Sequence, residues 1–180
     1  MTAADSFELV ELWLDVSTWR ANNLRMEATS QRAPTQGAIV TKLVEDNQNT
    51  WRNIQVAVKV ERERPIKVSA EIRLESVGRQ PVLVVLSRRE RFAGTVNRTT
   101  RSTSSFKLGR AVVFSCEATP LPDNWWRIEL VGTLSTQVGS DPVFVCIAIT
   151  RDPFRENYLG NGNGRVGLKM VGKKRIEVVT

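Results

Sequence analysis

The chain contains no histidine in its 180 residues. That absence removes the usual general base of serine and cysteine hydrolases and the commonest metal ligand, so the familiar hydrolytic and zinc-dependent mechanisms lose an essential part. Cysteine is scarce too. Cys116 and Cys146 stand in apolar surroundings without the CxxC spacing of redox or zinc sites, and read as two reduced thiols, not bonded to one another, that serve as small apolar side chains. Long apolar runs are missing: none, Val82 to Leu86 included, comes near the roughly 20 residues that cross a bilayer, and no membrane partner is expected. The first residues, Met1-Thr-Ala-Ala-Asp-Ser-Phe-Glu8, carry acids where a signal peptide needs basic residues and then an apolar stretch. No secretory route is visible, and the compartment stays open. No GxSxG, P-loop or HExxH pattern occurs, and no enzyme, cofactor or metal is expected.

What is present is a pattern of short alternating segments. Hydrophobic residues at 41% and charged residues at 25% suit a globular chain, and the net charge of +7 biases any partner toward anionic or neutral polar molecules. Ile54, Val56, Val58 and Val60 alternate with polar or small residues; Ile66, Val68, Ala70, Ile72 and Leu74 do the same against Lys67, Ser69, Glu71 and Arg73. This is the period of strands with one wet face. Further strands are expected at Val82 to Ser87, Ala111 to Ala118, Trp126 to Leu134, Val143 to Thr150, Arg165 to Met170 and Arg175 to Val179, with weaker ones at Asn23 to Ala28 and Gly37 to Val44. Gly, Pro, Asn and Asp clusters separate them. Phe7 to Val16 fits either an edge strand or one or two helical turns, and the role of residues 1–22 stays open; the polar stretch Arg98 to Ser105 reads as a loop. Eight to ten short strands without a long helix predict an all-β protein: one domain over residues 1–180, a two-sheet antiparallel β-sandwich with Ile54, Val56, Val58, Ile66, Val68, Ile72, Ile128 and Leu130 inside.

Two stretches carry a family likeness. Asn124-Trp-Trp-Arg-Ile-Glu-Leu-Val-Gly-Thr133, a strand at Val143 to Thr150, then Tyr158-Leu-Gly-Asn-Gly-Asn-Gly-Arg-Val-Gly167 resembles the jelly-roll domains attached to phage head spikes and tail fibres. Trp51-Arg-Asn-Ile54 followed by Pro65-Ile-Lys-Val-Ser-Ala-Glu-Ile-Arg73 is similar to carbohydrate-binding modules of the galactose-binding-like group. The likeness spans about Leu24 to Val179. It implies a jelly roll that binds a polysaccharide or other glycan without catalysis, as an accessory module of a larger protein. The alternative is a structural domain of a phage fibre, which would form homo-oligomers.

The ligand-binding candidates follow from what sugars need, namely flat aromatic faces bordered by groups that bond hydroxyls. Trp126 shares parity with Ile128 and Leu130 and belongs to the core; Trp125 has the opposite parity and, beside Asn124, is expected to face outward. Asn157, Tyr158 and Asn161 border the glycine-rich turn and present polar groups, although the same glycines also serve a purely structural turn. Between Arg88 and Arg110 lie seven basic residues and one acid, Glu90; of these Arg91 and Arg98 suit the carboxylates or sulfates of an anionic glycan, unless the segment is simply a solvated surface. Nucleic acid is disfavoured, since Phe92 and Phe106 are the only stacking groups in that segment and no nucleic-acid motif occurs. Asp123 and Glu129 are the carboxylate pair that glycosidic chemistry would call upon.

Overall fold

The computed structural model of the chain describes residues 9–15, 19–22, 24–32, 39–45, 49–58, 64–74, 80–97, 100–135, 142–150, 157–159, 167–171 and 173–179. Among them the elements are strands β1 (Leu9–Asp15), β2 (Arg20–Asn22), β3 (Leu24–Arg32), β4 (Ile39–Glu45), β5 (Asn49–Val58), β6 (Ile66–Leu74), β7 (Gln80–Leu86), β8 (Arg91–Val96), β9 (Thr103–Leu108) and β10 (Val112–Pro120). A 3-10 turn at Pro122–Asn124 precedes β11 (Trp125–Thr133), β12 (Val143–Thr150), β13 (Asn157–Leu159), β14 (Gly167–Val171) and β15 (Lys173–Val179).

The strands form two antiparallel sheets. The first runs β1-β15-β6-β14-β4-β3, with β11 also on β6 and β10 beyond β11; the second runs β13-β5-β12-β7-β8-β9, with β2 also on β5. Alternation decides which side chains meet between them. Ile66, Val68, Ala70 and Ile72 of β6 and Trp126, Ile128 and Leu130 of β11 share one core cluster with Ile54 of β5, Leu83 and Val85 of β7, Phe92 of β8, and Val145 and Ile147 of β12. Val56 and Val58 pack against it half-buried. Each fully buried side chain of this size contributes about 1.5–3 kcal/mol, and together they are the main force joining the sheets.

The sandwich matches the expected architecture, with three differences in detail. Leu9–Asp15 is a strand, paired with β15 from Leu9↔Val179 to Asp15↔Lys173, which decides between the two readings of that segment. Of the stretch expected to be a loop, Arg98 to Ser105, residues 98–99 lie outside the described residues, Thr100 to Ser102 form a turn as expected, and Thr103 to Ser105 belong instead to β9, which pairs with β8 from Arg91↔Leu108 to Val96↔Thr103. The short β8 was not expected at all. Its Gly94 is required by packing, because a Cβ there would lie 2.5 Å from the Cys116 Sγ and 2.9 Å from a Leu130 methyl of the opposite sheet.

Candidate functional site

The outer faces of the two sheets differ in kind. On the first, β6 and β11 present Lys67, Ser69, Glu71, Arg127 and Glu129, and these satisfy one another. Lys67 Nζ lies 2.7 Å from Glu129 Oε1, Arg127 Nη2 lies 2.7 Å from Glu71 Oε1, and Ser69 Oγ donates to Glu129 Oε1 at 3.3 Å. Lys67, Ser69, Arg127 and Glu129 are half-buried and Glu71 is buried, so the ladder is a paired polar surface only partly open to water.

On the second sheet, register lines up Arg20, Gln55, Cys146, Val84, Ala93 and Phe106 across β2, β5, β12, β7, β8 and β9. The adjacent row is Asn22, Asn53, Ala148, Val82, Thr95 and Ser104. Val82, Val84, Ala93, Cys146 and Ala148 form a second buried cluster on this outer side, flanked by half-buried Leu86, Phe106 and Phe144. Four strand spacings separate β5 from β9, so the floor is about 19 Å wide. Polar groups border it on the β5 side: Asn22 Nδ2 donates to Asn53 Oδ1 at 2.9 Å, Gln55 is half-buried, and Arg20 is exposed. The Cys146 thiol donates to Gln55 Oε1 at 4.0 Å, and burial pushes it up to about 12. It is therefore a floor side chain and not a nucleophile.

Arg91, a sequence candidate, belongs to this face: it is half-buried on β8, opposite Leu86 on one side and Leu108 on the other. Asn157 and Tyr158 come to the same sheet through β13, which pairs with β5 as Asn157↔Trp51 and Tyr158↔Thr50. Arg98 and Asn161 lie outside the described residues.

Trp125 corrects its expectation. It belongs to the first sheet and is 3% exposed, as closed to solvent as Trp126 at 7%. Its parity is as expected, out of phase with the core. The preceding turn is tied to its backbone: the Trp125 N–H donates to the Pro122 carbonyl, and the Trp125 carbonyl accepts from the Leu121 N–H at 2.8 Å. Asp123 and Asn124 both take left-handed backbone conformations, with φ of 58° and 63°, which Asp and Asn tolerate better than most residues. Asn124 is exposed. The structure thus does not bring Trp125 and Tyr158 to one sheet. Nor does it favour Asp123 with Glu129 as a catalytic pair, because Glu129 is bound to Lys67 and stands four strand positions beyond Trp125, about 13 Å along β11.

Sequence reasoning missed Arg20, Asn22, Asn53 and Gln55. The signal that marks their face was present in Val82-Leu83-Val84-Val85-Leu86, which is apolar at both parities, as a strand buried on both sides must be.

No family model matches the chain, and no curated protein matches it. Solved structures do. The CBM22-1 xylan-binding domain from Paenibacillus barcinonensis Xyn10C superimposes with a TM-score of 0.56 at 12% identity, covering 99% of each chain. The fold is the jelly-roll sandwich of carbohydrate-binding modules. The CBM22-1 and GH10 modules of the Clostridium thermocellum endo-1,4-beta-D-xylanase 10B, complexed with xylohexaose, match at a TM-score of 0.52 and 10% identity over 91% of this chain and 26% of that longer one.

Proposed function

We propose that the protein is a non-catalytic glycan-binding module and that the outer face of the second sheet is its sugar site. The observation that carries this reading is the contrast between that face and its counterpart. Arg20, Asn22, Gln55 and Arg91 border this face and offer amide and guanidinium groups for sugar hydroxyls, beside a floor of small side chains that is itself closed to solvent. The xylan-binding and xylohexaose-bound neighbours of the same fold support the ligand class. A role as one domain attached to a larger protein fits the share of the longer xylanase that this chain matches. The fibre-domain alternative draws on the sequence likeness alone.

Isothermal titration of the full chain against xylohexaose, a mannan oligosaccharide and an acidic oligosaccharide tests the proposal. Arg20→Ala and Gln55→Ala should each weaken the tightest of these about tenfold, the cost of one or two lost hydrogen bonds, with thermal midpoints unchanged. Absence of binding to the whole panel, combined with a trimer in solution, would transfer the argument to the fibre reading.

A further inference from the structure

A second cluster lies at the corner where the sheets' edge strands β9 and β10 meet. Leu108, Val112 and Phe114 are 55%, 39% and 58% exposed, the large apolar side chains most open to solvent among the described residues. Phe114 stands at a break in the β10–β11 register between Val113 and Ser115, which turns its ring out of the ladder. Two turns pack together beside it. Gly109, at φ 72°, approaches the β7–β8 turn so closely that a Cβ would meet the Arg89 carbonyl at 2.9 Å. Arg88 and Arg89 on one turn, Arg110 on the other and Lys107 near the end of β9 are all exposed. The single acid between Arg88 and Cys116 is Glu90; it is buried, and its Oε2 accepts the Ser135 N–H at 2.6 Å. Glu117 bounds the patch on the far side of Phe114.

We propose that this corner is a second glycan site, separate from the sheet face, that takes a uronic-acid polysaccharide. The inference rests on the glycan-binding reading for its ligand class. Phe114 supplies a ring for the C–H face of a sugar, and the guanidinium groups supply forks for carboxylates. Phe114 lies within β10, whereas Arg88, Arg89 and Arg110 lie on the two turns before it, so the ligand is a polymer spanning several units and not a monosaccharide. The run of like charge disfavours a second copy of this chain as the occupant.

The test is titration of the full chain with a hexamer of galacturonic acid and, in parallel, with xylohexaose. Phe114→Ala and the double variant Arg88→Gln, Arg89→Gln should each weaken the galacturonate hexamer about tenfold, the arginine effect shrinking at high salt, while melting temperatures and xylohexaose affinity hold. Variants that bind the hexamer as the parent does would overturn the site. Equal affinity of the parent for polyuridylate or for phosphatidylserine vesicles would do the same, by reducing the patch to charge alone. Galacturonate binding that depends on Phe114, with no xylohexaose binding, would sustain this site and remove the sheet-face site; the converse result would remove only this one.

Discussion

The two outer faces of the sandwich are built on the same alternation and carry different side chains. On the first sheet the outward positions of β6 and β11 hold Lys67, Glu71, Arg127 and Glu129, which pair across strands. On the second, the equivalent positions of β7, β8 and β12 hold Val82, Val84, Ala93, Cys146 and Ala148, all buried. Strand geometry sets the direction of a side chain and leaves its surroundings open. A face that carries buried small residues where a solvated sheet would carry charges is built for something other than solubility.

Cys146 gives that contrast its largest expected effect. Its thiol, held at about 12 by burial, carries about a thousandfold less thiolate at pH 8 than a free cysteine, and native protein should alkylate at that position correspondingly slowly. Cys116 is also raised, by desolvation first, against the opposing hydrogen bond to the Thr95 carbonyl. Both should react at once after denaturation without reductant, giving two thiols per chain; rapid native labelling of Cys146 would mean that the second face is open to water.

The next effect compares one substitution on the two faces. Val84→Asp places an unpaired carboxylate in the buried cluster and should cost about 3–5 kcal/mol in urea unfolding. Val131→Asp, half-buried on the outer side of β11 and opposite Lys67, should cost less than about 1 kcal/mol. Equal costs would erase the distinction between the faces.

Trp125→Ala should destabilise the fold by about 3 kcal/mol, the usual cost of emptying a tryptophan site, with no specific loss of sugar affinity in the fraction that remains folded. A stable variant with weakened binding would restore Trp125 as a ligand contact.

The core was readable because β5, β6 and β11 alternate cleanly, and Ile54, Ile66, Val68, Ile72, Ile128 and Leu130 are buried as expected. Where alternation carries no information, the reading stopped short. In β9 only Phe106 is shielded from solvent, and an edge strand wet on both sides has no period to detect, so Thr103 to Ser105 passed for loop. Trp125 shows the complementary limit: parity predicted its direction, but its burial on that side depends on tertiary packing that no strand pattern announces. The sheet-face residues Arg20 and Gln55 meet only through the β2–β5 register, a pairing between segments 35 residues apart.

The smallest expected effect tests the claim that the first face is only a paired polar surface. Burial acts to raise the Glu129 carboxyl, but the hydrogen bond and charge of Lys67, aided by Ser69 and Arg127, outweigh it and hold the group below its ordinary value. A carboxylate depressed on folding adds stability that is present above its unfolded pKa and lost as pH falls through the lower folded one. Glu129→Gln should therefore cost something at neutral pH and progressively less below about pH 4, where the parent also becomes protonated. Because Glu129 is only half-buried, solvent screening keeps the neutral-pH cost to no more than about 1 kcal/mol. Urea unfolding of parent and variant at pH 7 and again near pH 3 measures both ends of the window. A difference that persists unchanged in acid would locate the contribution of Glu129 in packing and not in its charge, and a neutral-pH cost of several kcal/mol would make the ladder a structural element instead of a surface.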